Sequence, residues 1–223
     1  MQDLNLHFHF ITFYDRNYSR SGTLMSGLRE LGEMTSFSVV SGGLFKRFRQ
    51  ILSIVANREK NTVFVVMSPS HLLTIYLKLA RANKVILDAG WSLTEAEFSR
   101  GAISRIPRLL KALLVDYFSF LFADLILVES KAEANYLSSK CERLREKIIV
   151  TYTGVTESKL KIAPVCPEEM KEVSHFSKFI VFRGKINNEA GFQRILDIGS
   201  ALQKSEFLLV VASPNKDISE IKS

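Results

Sequence analysis

The segment Thr62 to Met67 holds Val63-Phe64-Val65-Val66 with no polar residue among them. A strand with one wet face alternates apolar and polar residues, whereas a strand that is apolar on both faces must be covered on both. This run therefore demands a sheet sandwiched between helices. Further runs of strand length follow it or precede it: Leu6 to Tyr14, Met34 to Val40, Lys84 to Asp88, Leu125 to Val128 and Lys147 to Thr151. Segments of helical period separate them: Arg20 to Leu31 (with Gly32 placed to end it), Leu44 to Asn57, Ser70 to Arg81, Ser104 to Ala123, and a helix from Ser130 to about Ser139. Strand and helix in repeated alternation give an α/β fold, a Rossmann-like parallel sheet with helices on both faces.

The texture changes after the sixth strand. Thr156 to Lys178 is polar and irregular, with Pro164, Pro167 and a charged patch from Glu168 to Glu172. A new strand (Phe179 to Phe182), a helix (Glu189 to Lys204) and another strand (Phe207 to Val211) follow. The expected organisation is a first domain over 1–155, a linker over 156–178, and the truncated start of a second Rossmann-like domain over 179–223. A β-α-β start of that length does not close a core of its own.

Several function classes fall away on missing signals. No Gly-x-Gly-x-x-Gly follows the first strand, which runs on through Asp15-Arg16-Asn17-Tyr18-Ser19-Arg20, so an NAD-type oxidoreductase is set aside, and a Walker A loop is absent. Cys141 and Cys166 form no Cys-x-x-Cys pair. His7 and His9 share one strand face but have no third ligand nearby, so packed strand histidines are expected and no metal. The most apolar stretch, Leu109 to Val128, is interrupted by Lys111, Asp116 and Asp124, which argues against a membrane span. No basic region precedes an apolar one at the N-terminus, so no secretory signal is read and a cytoplasmic location is expected. The net charge of +7 favours acidic partners, but no recognition motif accompanies it and nucleic acid is not expected.

Three patterns, in order, resemble family-4-type glycosyltransferases of the GT-B fold. Ala123-Asp124-Leu125-Ile126-Leu127-Val128-Glu129-Ser130-Lys131-Ala132-Glu133 is similar to the family's strand-to-helix segment. Lys147 to Val155 is similar to its last strand before the interdomain linker. Ile180-Val181-Phe182-Arg183-Gly184-Lys185 through Gly191 resembles the opening of the donor-binding domain. The resemblance implies a nucleotide-sugar donor, a saccharide or lipid-linked acceptor, and no metal or other cofactor. It also implies that Arg183, Gly184 and Lys185 contact the donor diphosphate, whose leaving group gains negative charge. Ala190 stands where the family carries a second basic residue, and the family's Glu-x7-Glu segment lies beyond Ser223. The expectation is a fragment of a transferase, or a domain completed by a partner chain. A non-catalytic module that binds saccharide or membrane is the alternative.

Individual residues carry double readings. Ser21 and Gly22 open the first helix, flanked by Arg20, and helix N-termini attract anions such as a donor phosphate; an ordinary capped turn has the same sequence. Asp88 ends the fourth strand, where ligands of open α/β sheets bind, and is the candidate catalytic or cleft residue. Trp91 in the next loop is suited to stacking on an acceptor. Ser130 is both a cleft candidate and, with Glu133 three residues on, a capping box. The helix from Leu44 presents Phe45, Phe48, Leu52 and Val55 at helical spacing, with Lys46, Arg47 and Arg49 to one side. Such a helix lies on an anionic membrane, or packs on the core with a solvated basic edge. Arg100, Arg105, Arg108 and Lys111 add a second basic segment.

Overall fold

The computed structural model describes residues 6–14, 19–99, 106–154, 178–184, 191–202 and 207–212. The chain divides into two compact units, Met1–Lys161 and Ile162–Ser223. In the first, β1 (His7–Thr12), β2 (Met34–Val39), β3 (Thr62–Val66), β4 (Lys84–Gly90), β5 (Leu125–Val128) and β6 (Ile148–Val150) form one six-stranded sheet in the order β2-β1-β3-β4-β5-β6. Every pairing is parallel. The helices are α1 (Ser19–Glu30), α2 (Leu44–Ala56), α3 (Leu72–Leu79), α4 (Leu93–Ser99), α5 (Ile106–Phe122) and α6 (Lys131–Lys140), with a 3-10 turn over Glu142–Lys147.

Alternation along the strands sends side chains to two cores. Ile11, Phe64, Val66, Leu87 and Ile126 pack with Ile51 and Val55 of α2, Leu73 and Leu77 of α3, Phe120 of α5 and Leu137 of α6. Phe10, Val65 and Met67 face the other way, onto Met25, Leu24 and Leu28 of α1. The fold is thus Rossmann-like, with helices on both faces of the sheet. Because β1 lies between β2 and β3, the direction of winding reverses there, and such a switch point opens a crevice at the carboxyl ends of the strands.

The helix ends follow their sequences. Gly32 has φ +86, and Gly32 and Glu33 donate their N–H groups to the carbonyls of Arg29 and Leu28, a Schellman close for α1. The end of α3 repeats the pattern with Arg81 at φ 62 in the glycine position. The long helix expected from about Ser104 is α5, described from Ile106, and a separate short helix, α4, precedes it where a loop was expected. On α2 the expected stripe splits: Val55 is buried together with Ile51, while Phe45 is 84% exposed and Leu44 and Leu52 also lie outside.

In the second unit β7 (Lys178–Arg183) pairs in parallel with β8 (Phe207–Ala212), and α7 (Phe192–Leu202) lies between them in sequence. The buried Phe192 packs its ring 5.5 Å from that of Phe182.

Candidate functional site

The carboxyl ends of β4, β5 and β6 meet around one side chain, Arg20. It comes from the first turn of α1 and is only 2% exposed. Its Nε donates to Asp88 Oδ1 at 2.8 Å, and its Nη1 donates to the Thr151 carbonyl at 2.7 Å and to Thr153 Oγ1 at 3.3 Å. Glu129 Oε1 lies 3.7 Å from Nε. One guanidinium therefore ties the ends of three strands to the start of a helix. An arginine holds its charge at any working pH, so its burial is tolerable only beside an anion. Asp88 supplies that anion. Burial pushes its carboxyl above the ordinary carboxylate range, against the hydrogen bond and charge of Arg20, and Glu129 adds to the rise.

The cluster is incomplete. Arg20 Nη2, Asp88 Oδ2, Ser21 Oγ and Ser68 Oγ are buried and find no hydrogen-bond partner among the described residues. Buried polar atoms are nearly always paired, because leaving one unpaired costs about 1–3 kcal/mol. The strands approach closely here. Gly90 has φ +60, and a β-carbon on it would lie 3.2 Å from Ser68 Oγ and 3.8 Å from Glu129 Oε1. A register shift between Asp88 and Gly90 against β5 bends the end of β4.

The unpaired set mixes a donor (Nη2), an acceptor (Oδ2) and two hydroxyls. Asp88 and Glu129 both face the single cation, and Glu133 stands close by, its carboxyl raised by burial and by Glu129. The buried orphans lie behind the surface, and the two carboxylates that face Arg20 offset its charge at the start of α1. Glu129, with 44% of its side chain exposed, is the member of the cluster that faces solvent.

A second buried network stands behind the first. His71, at the start of α3, lies with Nδ1 2.8 Å from Asp116 Oδ1 and Nε2 3.2 Å from the Ala89 carbonyl. Both ring nitrogens lie within hydrogen-bond distance of an oxygen. Asp116 Oδ2 accepts from Ser92 Oγ, Thr94 N and Thr94 Oγ1, each at 2.8 Å. Ser119 Oγ donates to the His71 carbonyl at 2.8 Å. Burial works to raise the Asp116 carboxyl, but the bond and charge of His71 and the Thr94 donors outweigh it and hold the group below its ordinary range. This network pins the loop after β4.

That loop carries Trp91, 51% exposed, on the wall of a cleft of about 570 Å3. Tyr14 and Pro69, from the ends of β1 and β3, form one side, and Leu93, Glu97, Arg108 and Lys111 of α4 and α5 the other. The cleft joins aromatic rings to two cations.

The sequence-predicted residues divide accordingly. Arg20 and Asp88 come together, with Ser21 buried beside them. Gly22 is exposed, and a β-carbon there would touch nothing, so no close approach requires the glycine. Ser130 Oγ accepts from Glu133 N at 3.2 Å, and Glu133 Oε2 accepts from Glu129 N at 3.2 Å, which makes Ser130 the cap of α6. Arg183 is exposed at the end of β7, followed by Gly184; Lys185, Ala190, Arg16, Arg100 and Arg105 lie outside the described residues. Lys46 and Arg49 are exposed. Arg47 is half-buried, with its guanidinium 4.6 Å from the centre of the Phe13 ring, so it packs inward rather than facing a partner. His9 is held between Ser36 Oγ at 2.7 Å and Ser38 Oγ at 2.9 Å, and burial, then the neighbouring His7, lowers it to about 4. Glu129, Ser68 and Thr151 were missed. Glu129 alone carried a signal, as an acid directly after an apolar strand.

No protein-family profile matches the sequence, and no curated protein matches it. Among solved structures, the S. aureus protein MnaA in a co-structure with UDP is similar, with a TM-score of 0.63 and 14% identity over 97% of this chain and 64% of that one. The chain thus spans less than two thirds of that protein's length. At this identity the likeness establishes the Rossmann-like fold.

Proposed function

We propose that the chain is the acceptor-side part of an enzyme that transfers a sugar from a nucleotide sugar to a saccharide or lipid-linked acceptor. The observation that carries this reading is the polar cluster of Arg20, Asp88 and the solvent-facing Glu129 at the carboxyl ends of the strands, several of whose buried atoms have no partner among the described residues. The cleft beside Trp91 supports it, since an aromatic face with Glu97, Arg108 and Lys111 around it suits a polar sugar. Fold kinship with a protein solved with UDP agrees with it. In this reading Glu129 touches the ligand, and Asp88 positions Arg20 rather than exchanging protons. Arg183, Gly184 and Lys185 take the donor diphosphate, with no metal required.

Titration calorimetry with UDP and with UDP-sugars tests the proposal on the chain itself. A UDP-sugar should bind more tightly than UDP, and Glu129→Gln should weaken the sugar-dependent part about tenfold, the loss of one charge-assisted hydrogen bond. No binding of any nucleotide or nucleotide sugar, or identical affinities in wild type and Glu129→Gln, would refute it.

A further inference from the structure

The helices α2, α3 and α5 bury their inner faces in the same core, on one side of the sheet. Their outer faces are unusual for a water-facing layer. On α5 the exposed residues Ile106, Leu110, Leu113, Leu114, Tyr117 and Leu121 recur at helical spacing along the whole helix, with Tyr117 58% exposed. On α2, Leu44, Phe45 and Leu52 are exposed, and on α3, Leu79. An exposed apolar stripe running the length of a helix marks a docking site.

Charge identifies the occupant. Neither α2 nor α3 contains an acidic residue. The one acid of α5 is Asp116, which is buried against His71. The exposed charges on α2 and α5 are all cationic: Lys46 and Arg49 beside the α2 stripe, and Arg108 and Lys111 beside that of α5. Acids lie instead on α1 (Glu30), α4 (Glu95, Glu97) and α6 (Glu133). An apolar stripe whose own helix exposes only cations is the pattern of a helix lying in an anionic interface, and Glu97 of α4 shares the cleft with Arg108 and Lys111 without lying on the stripe. A second copy of the chain would bring the same cations against one another. No helix among the described residues is long and apolar enough to cross a membrane, so the helix rests on the surface.

We propose that the outer face of α2, α3 and α5 docks on an anionic lipid bilayer, with α5 embedded along its apolar stripe. Lysine and arginine of α2 were expected at a membrane from the sequence; the structure moves the weight of the contact to α5. Arg108 and Lys111 border the stripe and also line the Trp91 cleft, so docking sets the cleft at the lipid surface. This deepens the acceptor side of the function proposed above and favours a lipid-linked acceptor.

Flotation of the full chain with vesicles, without any nucleotide, separates the two ideas: lipid binding fails or holds independently of UDP binding. The protein should float with phosphatidylcholine–phosphatidylglycerol vesicles, remain behind with pure phosphatidylcholine, and be released by salt. Arg108→Gln with Lys111→Gln should weaken partitioning about 30-fold, the sum of two interfacial cations at about 1 kcal/mol each. Leu114→Gln with Tyr117→Gln should abolish it. In a Trp91→Phe background, Tyr117→Trp keeps a large ring in place, and its emission should shift to the blue on anionic vesicles and be quenched by brominated lipid. Equal binding to neutral and anionic vesicles, absence of binding, or binding retained by the Leu114/Tyr117 double variant overturns the proposal. So does a concentration-dependent dimer in ultracentrifugation that the double variant dissolves.

Discussion

The first unit holds two buried ionic networks within the same few strand ends, and they differ in one respect. Around Asp116 every oxygen and both imidazole nitrogens of His71 are engaged. Around Asp88 one carboxylate oxygen, one guanidinium nitrogen and two hydroxyls have no partner among the described residues. A saturated polar network fixes a single arrangement of the elements it joins; a half-satisfied one costs stability. Such a cost persists where function uses the open positions. The first network holds the β4–α4 loop; the second is the one that the proposed function gives to the ligand.

The sharpest way to break this comparison is Asp116→Ala. It strands His71 against an empty site and should cost about 3–5 kcal/mol in urea unfolding. A loss below about 1 kcal/mol would mean the network contributes little and the contrast is unsound.

The two carboxyls should also titrate with opposite sign. Asp116 is held below its ordinary value of 3.8, so the folded protein binds fewer protons there than the unfolded chain. Its contribution is present above pH 3.8 and is lost as pH falls through the folded value. Asp88 is raised above 3.8, so the folded state binds more protons, and its contribution is present below pH 3.8 and declines as pH rises through the folded value. Chemical denaturation across pH should show Asp116→Asn flattening the acid limb and Asp88→Asn flattening the decline above it. Matching slopes for the two variants would erase the distinction.

The smallest effects divide by sign. Ser92→Ala removes a hydroxyl that donates to a carboxylate and should destabilise by about 2 kcal/mol. Ser68→Ala removes a buried hydroxyl without a partner and should stabilise by about 1 kcal/mol while weakening UDP-sugar binding. Two serine truncations with the same sign in thermal melts would show that the orphans are satisfied after all. Outside both networks, Arg81→Gly relieves a left-handed backbone position and should stabilise by about 1 kcal/mol, a control that leaves ligand binding unchanged.

Much of the sheet was legible because its central strands β3, β4 and β5 are near-continuous apolar runs, a local property, and strand-length segments flank them. Gly32 and the Ser130–Glu133 box were legible for the same reason. α4 was not: Leu93–Ser99 is short, and Glu95 and Glu97 interrupt any apolar period. Arg20 and Asp88 were each singled out from position alone, but their pairing spans 68 residues and leaves no local trace. Asp116 was noticed only as an interruption in an apolar stretch; its partner His71 lies 45 residues earlier. On α2, two rows of apolar residues share the helical period, and the sequence does not say which row the core selects.

Arg20 reaches Thr151 across 131 residues of chain. Contacts of such separation close late, since the loop they span must first be organised by nearer pairings. Five strands can assemble from neighbours in order, but the grip of Arg20 waits for β6. During synthesis the strand ends therefore stay unlatched until nearly all of the first unit has left the ribosome. The candidate site is the last part of that unit to acquire its shape.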